Sequence, residues 1–196
     1  MNQSPTDVTL LIARILEVLK IPYAIGGSLA SATHGAARAT TDVDIVAALD
    51  QDHVTPLLRR VQDEFYADEG MIREAVHRHA SFNILHLATM FKVDVFIAGA
   101  RSFDAAQLQR RQRVRIGETP GELAYVITPE DTILAKLDWY RKGQEVSDRQ
   151  WRDVLGVIRV QEGRLDWAYL EGMAETLGVA DLLHRARSQA VIDAGR

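Results

Sequence analysis

The sequence predicts an α/β (α+β) chain. Strands and helices alternate over residues 1–127, and helices alone follow over 128–196. Three observations carry this expectation. Short apolar runs bounded by Gly, Pro and Asp lie between helical patterns as far as Ile127. A strong helix start, Thr128-Pro129-Glu130-Asp131, comes next: Thr as cap, Pro in the first turn, acids at the positive end of the dipole. Beyond it every apolar pattern has helical spacing, punctuated by Gly143, Gly163 and Gly178.

The elements follow in order. Val8, Leu11, Ile12, Ile15 and Leu19 recur at helical spacing, so Thr6 to Lys20 reads as a helix capped by Ser4 or Thr6 and ended by Pro22. Tyr23-Ala24-Ile25 is a short strand halted by Gly26-Gly27. Ser28 to Thr33 is a helix of small residues ending near Gly35, Asp42 to Ala48 a second strand, and His53 to Glu64 a helix. Phe82 to Leu87 and Phe91 to Ala98 read as a hairpin or as neighbouring strands. Phe103 to Gln109 is a helix; Val114 to Gly117 and Glu122 to Ile127 are short strands around the Glu118-Thr119-Pro120-Gly121 turn. The tail holds helices over Pro129–Lys142, Asp148–Val160, Asp166–Leu177 and Val179–Val191.

Composition narrows the function. A chain of 196 residues suits one compact domain or two small ones, with room for a sizeable core. A net charge of -4 argues against a surface devoted to long nucleic acid. The absence of cysteine excludes disulfides, a thiolate zinc site and a cysteine nucleophile. Met1 to Val8 is polar and lacks a signal pattern, and no run approaches the ~20 apolar residues of a membrane span. A soluble, cytoplasmic protein with no membrane partner is the expectation.

The chemistry concentrates in two places. Strand, Gly26-Gly27 turn, then a helix starting at Ser28 makes a phosphate cradle, or else a plain turn with a Ser cap. Glycine lets backbone approach an anion closely, and a helix start offers unpaired N–H groups. Asp42 and Asp44 lie two apart in the apolar run Thr41 to Ala48, so in a strand both carboxylates leave one face. Their sequence neighbours offer no counter-ion. A divalent cation is the remedy: Mg²⁺ takes one or two carboxylates and completes its shell with phosphate oxygens and water. Asp94, in Lys92-Val93-Asp94-Val95-Phe96, is a third acid on a later strand. Two acids on one strand and a third on its neighbour can hold two metals, which clamp the entering and leaving oxygens of a phosphoryl displacement.

With Gly26, Gly27, Ser28, then Asp42 and Asp44, then Asp94, the chain resembles the DNA polymerase β-like nucleotidyltransferase superfamily. The run Arg38-x-Thr40-x-Asp42-x-Asp44 after the glycine turn is most similar to two branches: the bacterial abortive-infection-type enzymes, several of them toxins of toxin–antitoxin pairs, and the small aminoglycoside nucleotidyltransferases. The resemblance implies a nucleotidyltransferase-fold mixed sheet flanked by helices, with a catalytic domain over 1–127 and a C-terminal helical domain over 128–196. It implies transfer of an NMP from an NTP to a hydroxyl of tRNA, protein or a small molecule, with two Mg²⁺ ions. The alternative is a non-catalytic nucleotide-binding or toxin–antitoxin module with a cognate antitoxin. By the resemblance Asp42, Asp44 and Asp94 hold metal, and Asp94 serves as general base. Gly26, Gly27 and Ser28 hold the β- and γ-phosphates. Arg38 contacts phosphate or pairs with an acid such as Asp42, Thr40 flanks the site, and Lys136 faces the nucleotide.

Other residues carry weaker signals. Asp148 and Asp153 partly match a Lys-Asp-x-x-Asp pattern with Ser147 in place of Lys; otherwise Asp148 is a helix cap and Asp153 a partner of Arg149. His77 and His79 form a strand-borne metal pair or a solvated, capping pair, His86 is half-buried structure, and His34 lies near the glycine turn. Arg110, Arg111, Arg113 and Arg115 steer a polyanion such as tRNA or form a solvated rim. Glu130, Asp131, Glu145 and Asp148 line a cleft for a polycationic acceptor or simply serve helix ends. Trp139, Tyr140, Trp151 and Trp167 read as packing, with Trp139 or Tyr140 a possible stacking surface for a base.

Overall fold

The structure, a computed structural model, describes residues 4–36, 42–99, 101–116 and 122–194. Contacts divide them into two units. The first takes the described parts of 4–26 and 42–127; the second takes 27–36 and 128–194. Residues 27–36 thus go with the helices of the second unit.

In the first unit, helix α1 (Pro5–Val18) starts in a capping box. The Asp7 N–H donates to Ser4 Oγ at 3.2 Å, and the Ser4 N–H donates to Asp7 Oδ2 at 2.7 Å. Its Val8, Ile12 and Leu16 are buried. Lys20, with φ +57°, and Pro22 turn the chain into β1 (Tyr23–Ile25). The strand leads to helix α2 (Gly27–Thr33), which belongs to the second unit. Then come β2 (Asp42–Ala47), α3 (Gln51–Val61), β3 (Phe65–Tyr66), α4 (Glu69–Arg78), β4 (Ser81–His86), β5 (Lys92–Ile97), α5 (Ser102–Arg110), β6 (Gln112–Arg115) and β7 (Leu123–Val126).

The strands form one mixed sheet, in the order β3-β4-β5-β2-β1-β7-β6. The pairs β2–β5 and β1–β7 are parallel; β3–β4, β4–β5, β1–β2 and β6–β7 are antiparallel. The two apolar runs after residue 80 are therefore a hairpin, and the strands after Arg111 pair with each other. Strand β3 and helix α4 have no counterpart in the sequence reading. Asp68 caps α4 by accepting from the Met71 N–H at 2.7 Å, but only Ile72, Ala75 and Val76 of that helix are buried. Three buried residues make a faint stripe. The sheet core is Ile25, Val43, Ile45, Ile84, Val93, Val95 and Val126, all almost inaccessible.

The second unit packs α2 with α6 (Pro129–Lys142), α7 (Asp148–Val160), α8 (Trp167–Leu177) and α9 (Ala180–Ala194). Thr128, Ser147 and Asp166 cap α6, α7 and α8 through side-chain oxygens. Ser147, not Asp148, is thus the cap of α7. Gly35, at φ +120°, lies so close to Val160 that an added Cβ would meet its Cβ at 2.5 Å, so no larger residue fits. Ile133, Leu134, Leu137, Val154, Val157 and Leu170 form the buried centre of this unit.

Candidate active site

Strand β2 alternates strictly. Val43, Ile45 and Ala47 are buried on one face, while Asp42, Asp44 and Val46 occupy the other, partly open face. Strand β5 does the same with Val93, Val95 and Ile97 against Lys92, Asp94 and Phe96. The parallel register sets Asp42 beside Lys92, Asp44 beside Asp94 and Val46 beside Phe96. All three acids therefore share one face of the sheet, with Asp44 and Asp94 directly opposite on adjacent strands. Asn83 of β4 extends that row.

The acids have a counter-ion, contrary to the expectation from their sequence neighbours. Lys92 Nζ lies 2.7 Å from Asp94 Oδ2. Its hydrogen bond to Asp94 raises the Lys92 pKa above the ordinary lysine value. Desolvation opposes this, and the charges of Asp94, Asp42 and Asp44 add to it. Lys92 is the site residue that sequence reasoning missed. The signal was present: a residue two before Asp94 on a strand must share its face.

A divalent cation fits this donor set by its chemistry. The donors are carboxylate oxygens, the ligands Mg²⁺ prefers, and few are needed when phosphate and water complete the shell. Among the described residues no group of three or more His, Cys, Asp or Glu side chains is set to hold a metal ion, and one oxygen of Asp94 is engaged by Lys92.

The glycine turn begins next to these acids in the sheet. The Gly26 N–H donates to the Asp44 carbonyl at 2.8 Å, which ties the end of β1 to the centre of β2. Gly27, at φ +56°, has the left-handed conformation that glycine adopts without strain. Ser28 is buried, at 4% exposure. Arg38 and Thr40 lie outside the described residues.

No family model and no curated protein sequence matches the chain. Solved structures do. An antigenic nucleotidyltransferase-like protein from Paracoccidioides brasiliensis aligns with a TM-score of 0.54 at 20% identity, over 93% of this chain and 91% of that one. The antibiotic-resistance factor ANT(2'')-Ia aligns with a TM-score of 0.51 at 16% identity, over 98% of both chains. The lincosamide antibiotic adenylyltransferase LnuA, solved with lincomycin bound, gives 0.50 at 12% identity, over 78% of this chain and 95% of that one. The chain has a nucleotidyltransferase-like fold. At such identities the likeness is one of fold.

Several other residues have structural roles in this fold. Lys136 is buried in the helical unit, where its Nζ donates to Asp153 Oδ2 at 2.8 Å. Asp153 thus pairs with Lys136 across α6 and α7. Glu130 Oε1 accepts the Asp166 N–H at 3.0 Å, and Asp131 Oδ1 accepts the Tyr169 hydroxyl at 2.6 Å. Both acids are buried and tie α6 to α8. Glu145 receives Arg141 and Arg185.

The histidines are equally local. His77 lies in the last turn of α4 and His79 is its left-handed cap at φ +48°, so neither is on a strand. His86 is fully buried, not half-buried, with Nδ1 2.7 Å from Thr89 Oγ1 and its ring edge-on to Phe65. The His34 carbonyl accepts from Gln161 Nε2. Arg113 and Arg115 lie on β6, an outer strand of the sheet, where charge discourages edge pairing. Arg111 and Arg113 lie over the Tyr125 ring, at 4.7 and 6.0 Å. Tyr140 packs on Trp151, whose indole N–H donates to Gln189, while Trp139 is half exposed.

Proposed function

We propose that this chain is a Mg²⁺-dependent nucleotidyltransferase that moves the NMP of an NTP to a hydroxyl of a small-molecule acceptor and releases pyrophosphate. The observation that carries the proposal is the register of β2 on β5. It gathers Asp42, Asp44 and Asp94 on one face of the sheet. The likeness to ANT(2'')-Ia and LnuA over most of their length supports an acceptor of antibiotic size over tRNA or protein.

In this reading Asp42 and Asp44 hold the cation and Asp94 completes the set. Bound Mg²⁺ would supply positive charge to the phosphate oxygens. The acceptor oxygen attacks the α-phosphorus and forms the new O–P bond. The bond from the α-phosphorus to the bridging oxygen breaks, and pyrophosphate departs with that electron pair. Asp94 takes the acceptor proton as general base. The family resemblance assigns the β- and γ-phosphates to Gly26, Gly27 and Ser28. Gly26 contributes its lack of a side chain, since its N–H is committed to Asp44.

The test is incubation of the purified chain with each α-labelled NTP and Mg²⁺, with aminoglycosides, lincosamides, total tRNA and lysate as acceptors. Label should pass to a small molecule. Asp42→Asn and Asp44→Asn should each lose about a hundredfold or more in rate while staying folded, as for removal of a group that stabilises transition-state charge. Transfer undiminished in either variant would sink the proposal, and label on tRNA would overturn the acceptor. Mg²⁺-dependent NTP binding without transfer would leave a nucleotide-binding module.

A further inference from the structure

Among the described residues of β2 and β5, Lys92 is the cation that the sheet places beside the three acids. It stands in register with Asp42, two residues from Asp94, and contacts Asp94 Oδ2 at 2.7 Å. Asp44 and Asp94 lie directly opposite on adjacent strands, and like charges so placed oppose strand pairing. A positive charge on the same face offsets that repulsion.

We propose that Lys92 is a built-in counter-cation: it holds Asp94 while no metal is bound and gives that carboxylate up when a divalent cation arrives. Lysine and metal then compete for one oxygen. This rests on the reading of Asp42, Asp44 and Asp94 as metal ligands. The side chain is suited to leaving. It is 47% exposed, so an open path to solvent exists. A lysine is a point charge on a flexible stem and lacks the rigid two-pronged grip of arginine. An ion pair this exposed is weak enough for a metal to displace. The competition is therefore weak and graded. It sets the cation affinity of the free protein and leaves the metal-loaded site to the three acids.

The test is Mn²⁺ binding to the full chain without nucleotide, followed by electron paramagnetic resonance. Wild type, Lys92→Met, Lys92→Arg and Asp44→Asn are compared. Lys92→Met should bind Mn²⁺ about fivefold more tightly than wild type, a ratio equivalent to about 1 kcal/mol and typical of a strong exposed pair. Lys92→Arg should bind no more tightly than wild type, and Asp44→Asn should bind far more weakly. A second readout needs no substitution. The lysines are Lys20, Lys92, Lys136 and Lys142. In reductively ¹³C-methylated protein the Lys92 resonance should move on addition of Mg²⁺ while those of Lys20 and Lys142 stay.

Equal Mn²⁺ affinity in wild type and Lys92→Met, with binding still lost in Asp44→Asn, overturns the competition and leaves the metal site standing. A Lys92 resonance unmoved at saturating Mg²⁺ overturns it too. Wild-type protein that takes no Mn²⁺, with or without NTP, overturns the metal reading itself.

Discussion

Lys136 and Asp153 show how far a single residue's role depends on what folding brings beside it. Seventeen positions separate them in sequence, yet their side chains are only 9% and 6% exposed and meet at 2.8 Å. Removing one partner of a buried pair leaves the other charged and unsatisfied, which costs about 3–5 kcal/mol, whereas replacing both with apolar groups is often nearly neutral. Lys136→Met should therefore destabilise by about 3 kcal/mol in denaturant titration, and Lys136→Met with Asp153→Leu should recover most of the loss. A stable single variant with a raised KM for NTP would instead place the lysine at the nucleotide. Sequence alone could not choose, because the partner lies on another helix. Lys92 was legible from the two-residue strand period, because it lies two positions before Asp94 and not beside Asp42 or Asp44 in sequence. That Asp42 and Asp44 share a face was legible, since strand periodicity sets the relative face of residues on one strand before any register is known.

At the scale of elements, legibility followed the strength of the local signal. Helix α6 starts at its Thr128 cap as its sequence indicated, and α7 keeps the bounds of its apolar stripe although Ser147 rather than Asp148 caps it. Helix α4 was missed because Gly70 interrupts its first turn and its buried stripe is three residues long. Strand β3 has two residues, too few to show any period. Helix α1 offers a test of how a cap behaves with pH. The Ser4 N–H first, and its hydroxyl second, hold the Asp7 carboxyl below its ordinary value of 3.8. A folded pKa below the unfolded one means that the contribution is whole above about pH 4 and fades as pH falls through the lowered value. Asp7→Asn should therefore destabilise α1 at pH 6, and the difference from wild type should shrink by pH 2.5, read by urea unfolding at both values. A pH-independent difference would show that the charge plays no part in the cap.

At the scale of the whole molecule, the change from mixed sheet to helices at residue 127 was legible, because cap chemistry at Thr128 coincides with the change in apolar spacing. That residues 27–36 pack with the helices was not legible, because adjacency to β1 says nothing about where Ala30 and Ser31 are buried. Charge at the same scale makes a last prediction. The chain carries a net charge of -4, and three carboxylates share the proposed site, so a triphosphate is repelled unless a cation joins it. Binding to the folded state alone stabilises by about 2.7 kcal/mol at a hundred times Kd. For a chain of this length each kcal/mol moves Tm by roughly 2–4 °C. NTP with Mg²⁺ should then raise Tm by about 5–10 °C. NTP with a chelator should leave it nearly unchanged, and so should NTP with Mg²⁺ added to Asp42→Asn or Asp44→Asn. An equal rise in the presence of chelator would mean that the nucleotide binds independently of the acids, and the shared face of β2 and β5 would lose its assigned role.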